Sequence, residues 1–195
     1  MKGELENQVE KARDVIEDGG LVIFPTETAY GIAADVLNPA AVERVYKVKQ
    51  RPREKKLTAV VNSLEQAEEH AELTESEKKV VEELMPGPLT LVTEKKPGVP
   101  DVLNDEFVFR IPGSEVARKL AARGPITATS ANISGEETSY RVKDISQELR
   151  EKVDHIIDAG ELEPSDTSTI AEVNNSDVAI HRRGPVTRED IEEVL

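Results

Sequence analysis

Seven short apolar runs, rich in strand-forming residues and bounded by turn residues, constrain the fold of this chain more than any other feature. Amphipathic helical patterns lie between some of these runs, so predicted strands and helices do not strictly alternate along the chain. We therefore expect an α/β (α+β) fold with a twisted mixed sheet flanked by helices. The runs cover residues 21–24, 57–61, 89–93, 107–111, 125–129, 170–173 and 178–181.

The predicted helices have recognisable start and stop signals. Leu5, Val9 and Ile16 recur at helical spacing, and the Gly19-Gly20 pair ends that first helix. Capping-box patterns at 63–66 and 74–77 predict helix starts near residues 64 and 75, and a similar pattern at 187–190 predicts a closing helix.

Length and composition limit the classes of protein to which the chain can belong. Its length indicates one domain over residues 1–195, and the lack of cysteine excludes disulfides, thiolate metal sites and a cysteine nucleophile. The amino terminus is polar and no run of 18 apolar residues occurs, so we expect a cytoplasmic protein without a membrane segment. The formal net charge of −14 argues against general binding to nucleic-acid backbones.

One strongly cationic stretch interrupts this acidic chain, and we call residues 47–56, KVKQRPREKK, the cationic segment. It contains six basic residues and one acidic residue. One interpretation is a solvated helix end, because basic side chains offset the helix dipole there. The alternative is an anion site. Pro52 favours this alternative because a proline disfavours the helical conformation at the preceding Arg51 and so makes the second half a shaped loop.

Hydroxyl-rich loops and a strand arginine are the other unusual features. The loops adjoin predicted strands at 26–31, 130–135 and 166–169, where hydroxyl groups either form turns or contact a ligand. Arg110 lies within the predicted strand FVFR, on the same face as Val108. It is either a rim residue or buried ion-pair partner, or a guanidinium fork for a carboxylate.

Several familiar catalytic motifs are absent from the sequence. It has no G-x-x-x-x-G-K-[ST] phosphate loop, no G-x-G-x-x-G after a strand and no nucleophile elbow. His70, His155 and His181 lack metal-ligand spacing, so no protein metal site is predicted. The cationic segment, the arginines and the hydroxyl loops suit phosphoryl or nucleotidyl transfer by positioning and charge neutralisation.

Seven motifs, in order and at compatible spacing, resemble those of the YrdC-like family, the threonylcarbamoyl-adenylate synthases. The resemblance runs from about Gly20 to Gly184 and implies a cavity in a twisted, largely parallel sheet. It implies that L-threonine, bicarbonate and ATP, with Mg²⁺ accompanying ATP, give threonylcarbamoyl-AMP and pyrophosphate. The product would supply the downstream threonylcarbamoyl transferase machinery of tRNA t6A modification. The motifs are FPTETAYG (24–31), KQRPREK (49–55), PGPLTLV (86–92), FRIP (109–112), TSANISG (129–135), STI (168–170) and IHRRG (180–184).

The resemblance also implies roles for individual residues. The triphosphate would be bound and activated by Lys49, Arg51 and Lys55. The rest of ATP or the adenylate would contact Ser130, Asn132, Thr138 and Arg182. Threonine would be held by Thr28, Arg110 and Ser168.

Two features depart from the pattern of longer family members. Those members have a histidine in the strand after the cationic segment, where this chain has Val60. They also have a separate carboxy-terminal domain, whereas this chain resembles the short, single-domain form. Two other functions remain open: an RNA-binding module of the same fold, and a paralogue that handles a different carbamoyl-adenylate. Direct contact with tRNA also remains open.

Overall fold

A computed structural model describes residues 2–175 and 177–195. Within them the chain forms ten strands and seven α-helices, with short 3₁₀ helices at Ala121–Arg123 and Val142–Asp144. The helices are α1 Lys2–Glu17, α2 Pro39–Val48, α3 Leu64–His70, α4 Glu75–Leu84, α5 Glu115–Leu120, α6 Gln147–Arg150 and α7 Arg188–Val194. The strands are β1 Val22–Pro25, β2 Tyr30–Ala33, β3 Thr58–Val60, β4 Ala71–Glu72, β5 Leu89–Lys95, β6 Phe107–Arg110, β7 Ile126–Ser130, β8 His155–Ile156, β9 Thr169–Asn174 and β10 Asp177–Arg182.

The strands form one mixed sheet in the order β10-β9-β5-β6-β3-β7-β2-β1-β8, with β4 paired to β5. The predicted mixed sheet with flanking helices is confirmed, but the emphasis on parallel pairing is not. Among the described pairings, three are parallel (β1 with β8, β3 with β6, β5 with β9) and six are antiparallel. One reason is β2, which the apolar runs did not reveal: it folds back on β1 after a short loop, and short loops join antiparallel strands.

Each face of the sheet has its own hydrophobic cluster. From Leu21 into β1 the side chains alternate between them: Leu21 and Ile23 belong to one cluster, whereas Val22 and Phe24 belong to the other. Helices α1 and α5 contribute side chains to the cluster that contains Val22, and α2, α4 and α7 contribute side chains to the cluster that contains Leu21. The sheet is therefore a middle layer with a core on both faces. None of the helices in the described ranges has the length and apolar character needed to cross a bilayer.

The helix starts follow the capping signals, with one variation. Thr74 and Thr187 each form a complete capping box at the start of α4 and α7. Ser63 accepts a hydrogen bond from the Gln66 amide, but the Gln66 side chain accepts one from the amide of Asn62 instead of completing the box. The local signals thus predict where these helices begin, which in turn sets where the intervening loops meet the sheet.

Candidate active site

A cavity of about 290 Å³ lies where the loops after several strands converge. Its wall is cationic and rich in hydroxyl groups, and none of the described residues that line it is acidic. Such a wall favours anionic ligands with many oxygen acceptors. The cationic residues are Arg51, Lys56, Arg110 and Arg182, and the hydroxyl-bearing residues are Thr26, Thr28, Tyr30, Thr58, Thr129, Ser130, Thr138, Tyr140, Ser165, Thr167 and Ser168.

Arg110 is the most deeply placed cation of the wall. It ends the central strand β6, opposite Val60 of β3, and only 6% of its surface is exposed. Its Nη1 lies 3.0 Å from Oε1 of Glu27, an ion pair in which that oxygen makes no hydrogen bond. The guanidinium makes no hydrogen bond to any residue of the described ranges, and burial lowers its pKa. A desolvated guanidinium beside a cavity, with unused donors, is suited to bind a carboxylate.

Arg182 and Ser168 line the same cavity as Arg110, and the strands β10, β9, β5 and β6 are consecutive in the sheet. Arg182 donates from Nε to the Ser168 carbonyl at 2.9 Å and from Nη2 to the Ser168 hydroxyl at 3.1 Å. The same hydroxyl shares a 2.9 Å hydrogen bond with the hydroxyl of Thr90. Burial lowers the pKa of Arg182, and the positive charge of Arg110 lowers it further. The two guanidinium groups therefore create one region of strong positive potential.

In the loop between β1 and β2, the hydroxyl groups both form a turn and face the cavity. Thr26 forms a turn: its hydroxyl donates to the Ala29 carbonyl at 2.7 Å and accepts from the amides of Thr28 and Ala29 at 3.1 Å. Thr26 and Thr28 both line the cavity. Tyr30 closes the loop, because its hydroxyl donates to the Gly160 carbonyl at 2.8 Å. The turn thus presents Thr28 to the cavity, while the Tyr30 hydroxyl links the start of β2 to Gly160.

Lys49 is buried behind the wall and does not line the cavity. Only 1% of its surface is exposed, and its ammonium group donates to the carbonyl and side-chain oxygens of Asn132, at 2.7 and 3.2 Å, and to the carbonyl of Ser130. Burial, and to a smaller extent the charge of Arg51, lower the pKa of Lys49 to about 7. Asn132 is likewise used internally, because its amide nitrogen donates to the Glu136 carbonyl at 2.6 Å. In this structure both residues shape the loop that presents Ser130.

The remaining cations of the cationic segment have different environments. Arg51 lines the cavity and donates to the carbonyl oxygens of Lys55 and Lys56, at 3.2 and 2.7 Å, which holds the loop in shape. Lys56 also lines the cavity and pairs with Glu106 on its outer side. Arg53 points away: it pairs with Glu43 and lies 4.4 Å from the centre of the Tyr46 ring. Two of the six cations thus lie on the wall.

Most of the residues predicted from the sequence converge on one cavity. Seven of them line it: Thr28, Arg51, Arg110, Ser130, Thr138, Ser168 and Arg182. Lys49 and Asn132 lie behind the wall, and Lys55 is exposed outside it. Lys56 and Tyr140 line the cavity but were not singled out. Lys56 belongs to the cationic segment, so charge alone could have identified it, whereas Tyr140 has no distinguishing local signal.

The chain is similar in sequence to known proteins. The Sua5/YciO/YrdC family model, described as "Telomere recombination", matches residues 14–184. A protein of Methanocaldococcus jannaschii is 37% identical over 184 residues, which cover 94% of this chain and 88% of that protein. The threonylcarbamoyl-AMP synthase of Pyrococcus abyssi is 36% identical over 196 residues, covering 97% of this chain and 58% of that protein.

The chain is also similar to solved structures of proteins named Sua5 and YciO. The structure of P. abyssi Sua5 complexed with L-threonine matches with a TM-score of 0.88 at 36% identity, covering 96% of this chain and 57% of that one. The chain thus spans little more than half of the length of the Pyrococcus protein. E. coli YciO matches with a TM-score of 0.83 at 22% identity over 94% of this chain and 92% of that one, which is a likeness of fold alone.

Proposed function

The chain belongs to the Sua5/YciO/YrdC family, and from this premise we propose that it is an L-threonylcarbamoyladenylate synthase. It would join L-threonine, bicarbonate and ATP into threonylcarbamoyl-AMP, with release of pyrophosphate. The single observation that best supports this proposal is the buried guanidinium of Arg110, which has unused donors beside a cationic, hydroxyl-lined cavity. The threonine-bound Pyrococcus structure supports an amino acid as one occupant of such a fold.

The amino-acid end of the cavity would be formed by Arg110, Ser168 and Thr28. Arg110 would accept the α-carboxylate in a two-pronged contact, since a guanidinium matches carboxylate geometry. Thr28 and Ser168 line the same cavity as Arg110, and their hydroxyls would offer polar contacts to the rest of the amino acid. Arg182, which holds Ser168, adds positive potential at the boundary with the nucleotide.

The triphosphate end would be formed by Arg51 and Lys56, with Ser130, Thr138 and Arg182 around the rest of the nucleotide. Threonine and bicarbonate would condense to a carbamate with loss of water. A carbamate oxygen would then attack the α-phosphorus as the bond to pyrophosphate breaks. The cations would stabilise the charge that develops on the leaving group, and the protein would supply no nucleophile.

Lys49 and Asn132 would contribute to this chemistry by shaping the Ser130 loop, and Lys55 would contribute long-range charge. Magnesium would enter with ATP: it prefers phosphate oxygens and water, and this wall offers it hydroxyl groups rather than carboxylates. When bound, the ion would neutralise triphosphate charge. Residues 1–195 would act as a single domain, and the product would pass to the tRNA t6A machinery.

Pyrophosphate release from ATP tests this proposal. We expect release only when threonine and bicarbonate are both present, because the attacking carbamate forms only from the two together. Omitting each in turn, and replacing threonine with serine or alanine, distinguishes this reaction from that of a paralogue handling another carbamoyl-adenylate. Equal release without threonine would overturn the proposal, and tRNA binding without any release would favour the RNA-binding module.

A further inference from the structure

Glu27 is an acidic residue at the edge of the cavity to which the mechanism above gives no role. It lies between Thr26 and Thr28 in the loop that joins β1 to β2. Unlike both neighbours it does not line the cavity, and its carboxylate meets Arg110, which does. The carboxylate therefore contacts the guanidinium from outside the cavity, while the cavity remains open to the other N–H donors of Arg110.

The position of Glu27 is set by two stretches of chain that are distant from it in sequence, residues 110–114 and the stretch around Ser165. Its Oε2 accepts a hydrogen bond from the amide of Ser114 at 3.3 Å, at the start of α5. Its carbonyl accepts one at 3.0 Å from the hydroxyl of Ser165, a residue that lines the cavity. Its Oε1 lies 3.0 Å from Arg110. A side chain held in this way can fix the guanidinium that it contacts.

Arg110 needs such a partner because of its surroundings. Burying a guanidinium without a counter-ion costs free energy, and repulsion between the positive charges of Arg110 and Arg182 adds to that cost. Within the described residues, Glu27 is the only carboxylate within ion-pair distance of Arg110. Without Glu27, the guanidinium would be expected to rotate towards solvent or to take up small anions.

We propose that Glu27 is a positioning residue for Arg110 and thereby sets the affinity of the site for the α-carboxylate of its amino-acid substrate. The inference rests on the proposed function. Glu27 touches neither substrate nor nucleotide in this account. It acts by holding the Arg110 fork in the orientation that a carboxylate can meet with two hydrogen bonds.

Two substitutions test separately whether the charge and the length of the Glu27 side chain matter. Glu27→Gln removes the charge but keeps an oxygen for the Ser114 amide, and Glu27→Asp keeps the charge on a side chain one methylene shorter. We expect both to raise KM for threonine at least tenfold while KM for ATP changes less than twofold. Glu161→Gln is the matched control, because it removes an acid from the exposed pair with Arg141 and should leave both constants unchanged.

A double-mutant cycle with Arg110→Lys shows whether Glu27 acts through the guanidinium. If it does, Glu27→Gln changes KM for threonine less than twofold in the Arg110→Lys background. An unchanged KM for threonine in both Glu27 variants, or a full effect of Glu27→Gln in the lysine background, would overturn the proposal. A wild-type protein without threonine dependence would instead overturn the proposed function, so the two failures are distinguishable.

Discussion

The two ends of the cavity are built in different ways. At one end, Arg110 and Arg182 come from strands β6 and β10, and Arg110 is buried and paired with Glu27. At the other end, Arg51 and Lys56 come from one short loop and keep contact with solvent. Burial magnifies electrostatic interactions, whereas solvent screens them. The comparison teaches that the buried Arg110 should select a ligand by geometry, and that the loop cations should attract charge with less geometric demand.

Arg110→Lys is the substitution expected to have the largest effect at the strand end. Lysine keeps the charge but replaces the planar fork with a point donor, so two parallel hydrogen bonds cannot form. We expect a loss of about 1.5–3 kcal/mol of threonine binding, which is roughly a 10- to 100-fold rise in KM. Pyrophosphate release at saturating ATP measures this constant, and KM for ATP should stay nearly constant. An intact protein by thermal melting with unaltered threonine dependence would make Arg110 an ion-pair residue only.

Gly184→Ala should damage the same end through packing. A Cβ at Gly184 would lie 2.8 Å from the carbonyl carbon of Ser168, and closer still to the Thr167 carbonyl oxygen and the Thr169 nitrogen. Relief of this contact would move the Ser168 backbone and cost about 1–3 kcal/mol of stability. We expect a lower melting temperature and a raised KM for threonine. Gly124→Ala is the control, because nothing lies within 4 Å of its added Cβ; an equal loss in both variants would refute the packing explanation.

Arg51→Ala and Lys55→Ala should show smaller effects, confined to ATP and unequal in size. Arg51 lines the cavity and holds two loop carbonyls, so its removal should weaken ATP binding by about 1.5 kcal/mol, or roughly tenfold. Lys55 lies outside the wall, and its removal should change ATP affinity less than twofold. Calorimetric titration with ATP measures both. Equal losses of ATP affinity would mean that only the total charge of the loop matters. No loss in either variant would mean that the cationic segment is a solvated helix end and not an anion site.

Local structure could be predicted from the sequence where the signal lies within a few residues. The capping boxes of Thr74 and Thr187 and the strand predicted from the apolar run at 21–24 each appear in the structure as expected. Strand β2 was missed because Tyr30–Ala33 is short and contains a glycine, so its pairing with β1 and β7 rather than its composition makes it a strand. This strand also contributes two of the six antiparallel pairings among the described residues, those with β1 and β7.

What the sequence determined by itself was the set of candidate residues: charge density, hydroxyl-rich loops and the resemblance to the YrdC-like family identified seven residues that line one cavity. Only the tertiary structure decided which cations of a single segment face that cavity. Lys49 and Arg51 are two positions apart, yet one is buried under the Ser130 loop and the other is on the wall. The physical reason is that burial and ion pairing depend on segments far away in sequence, such as Glu27 meeting Arg110, and no local pattern contains those contacts.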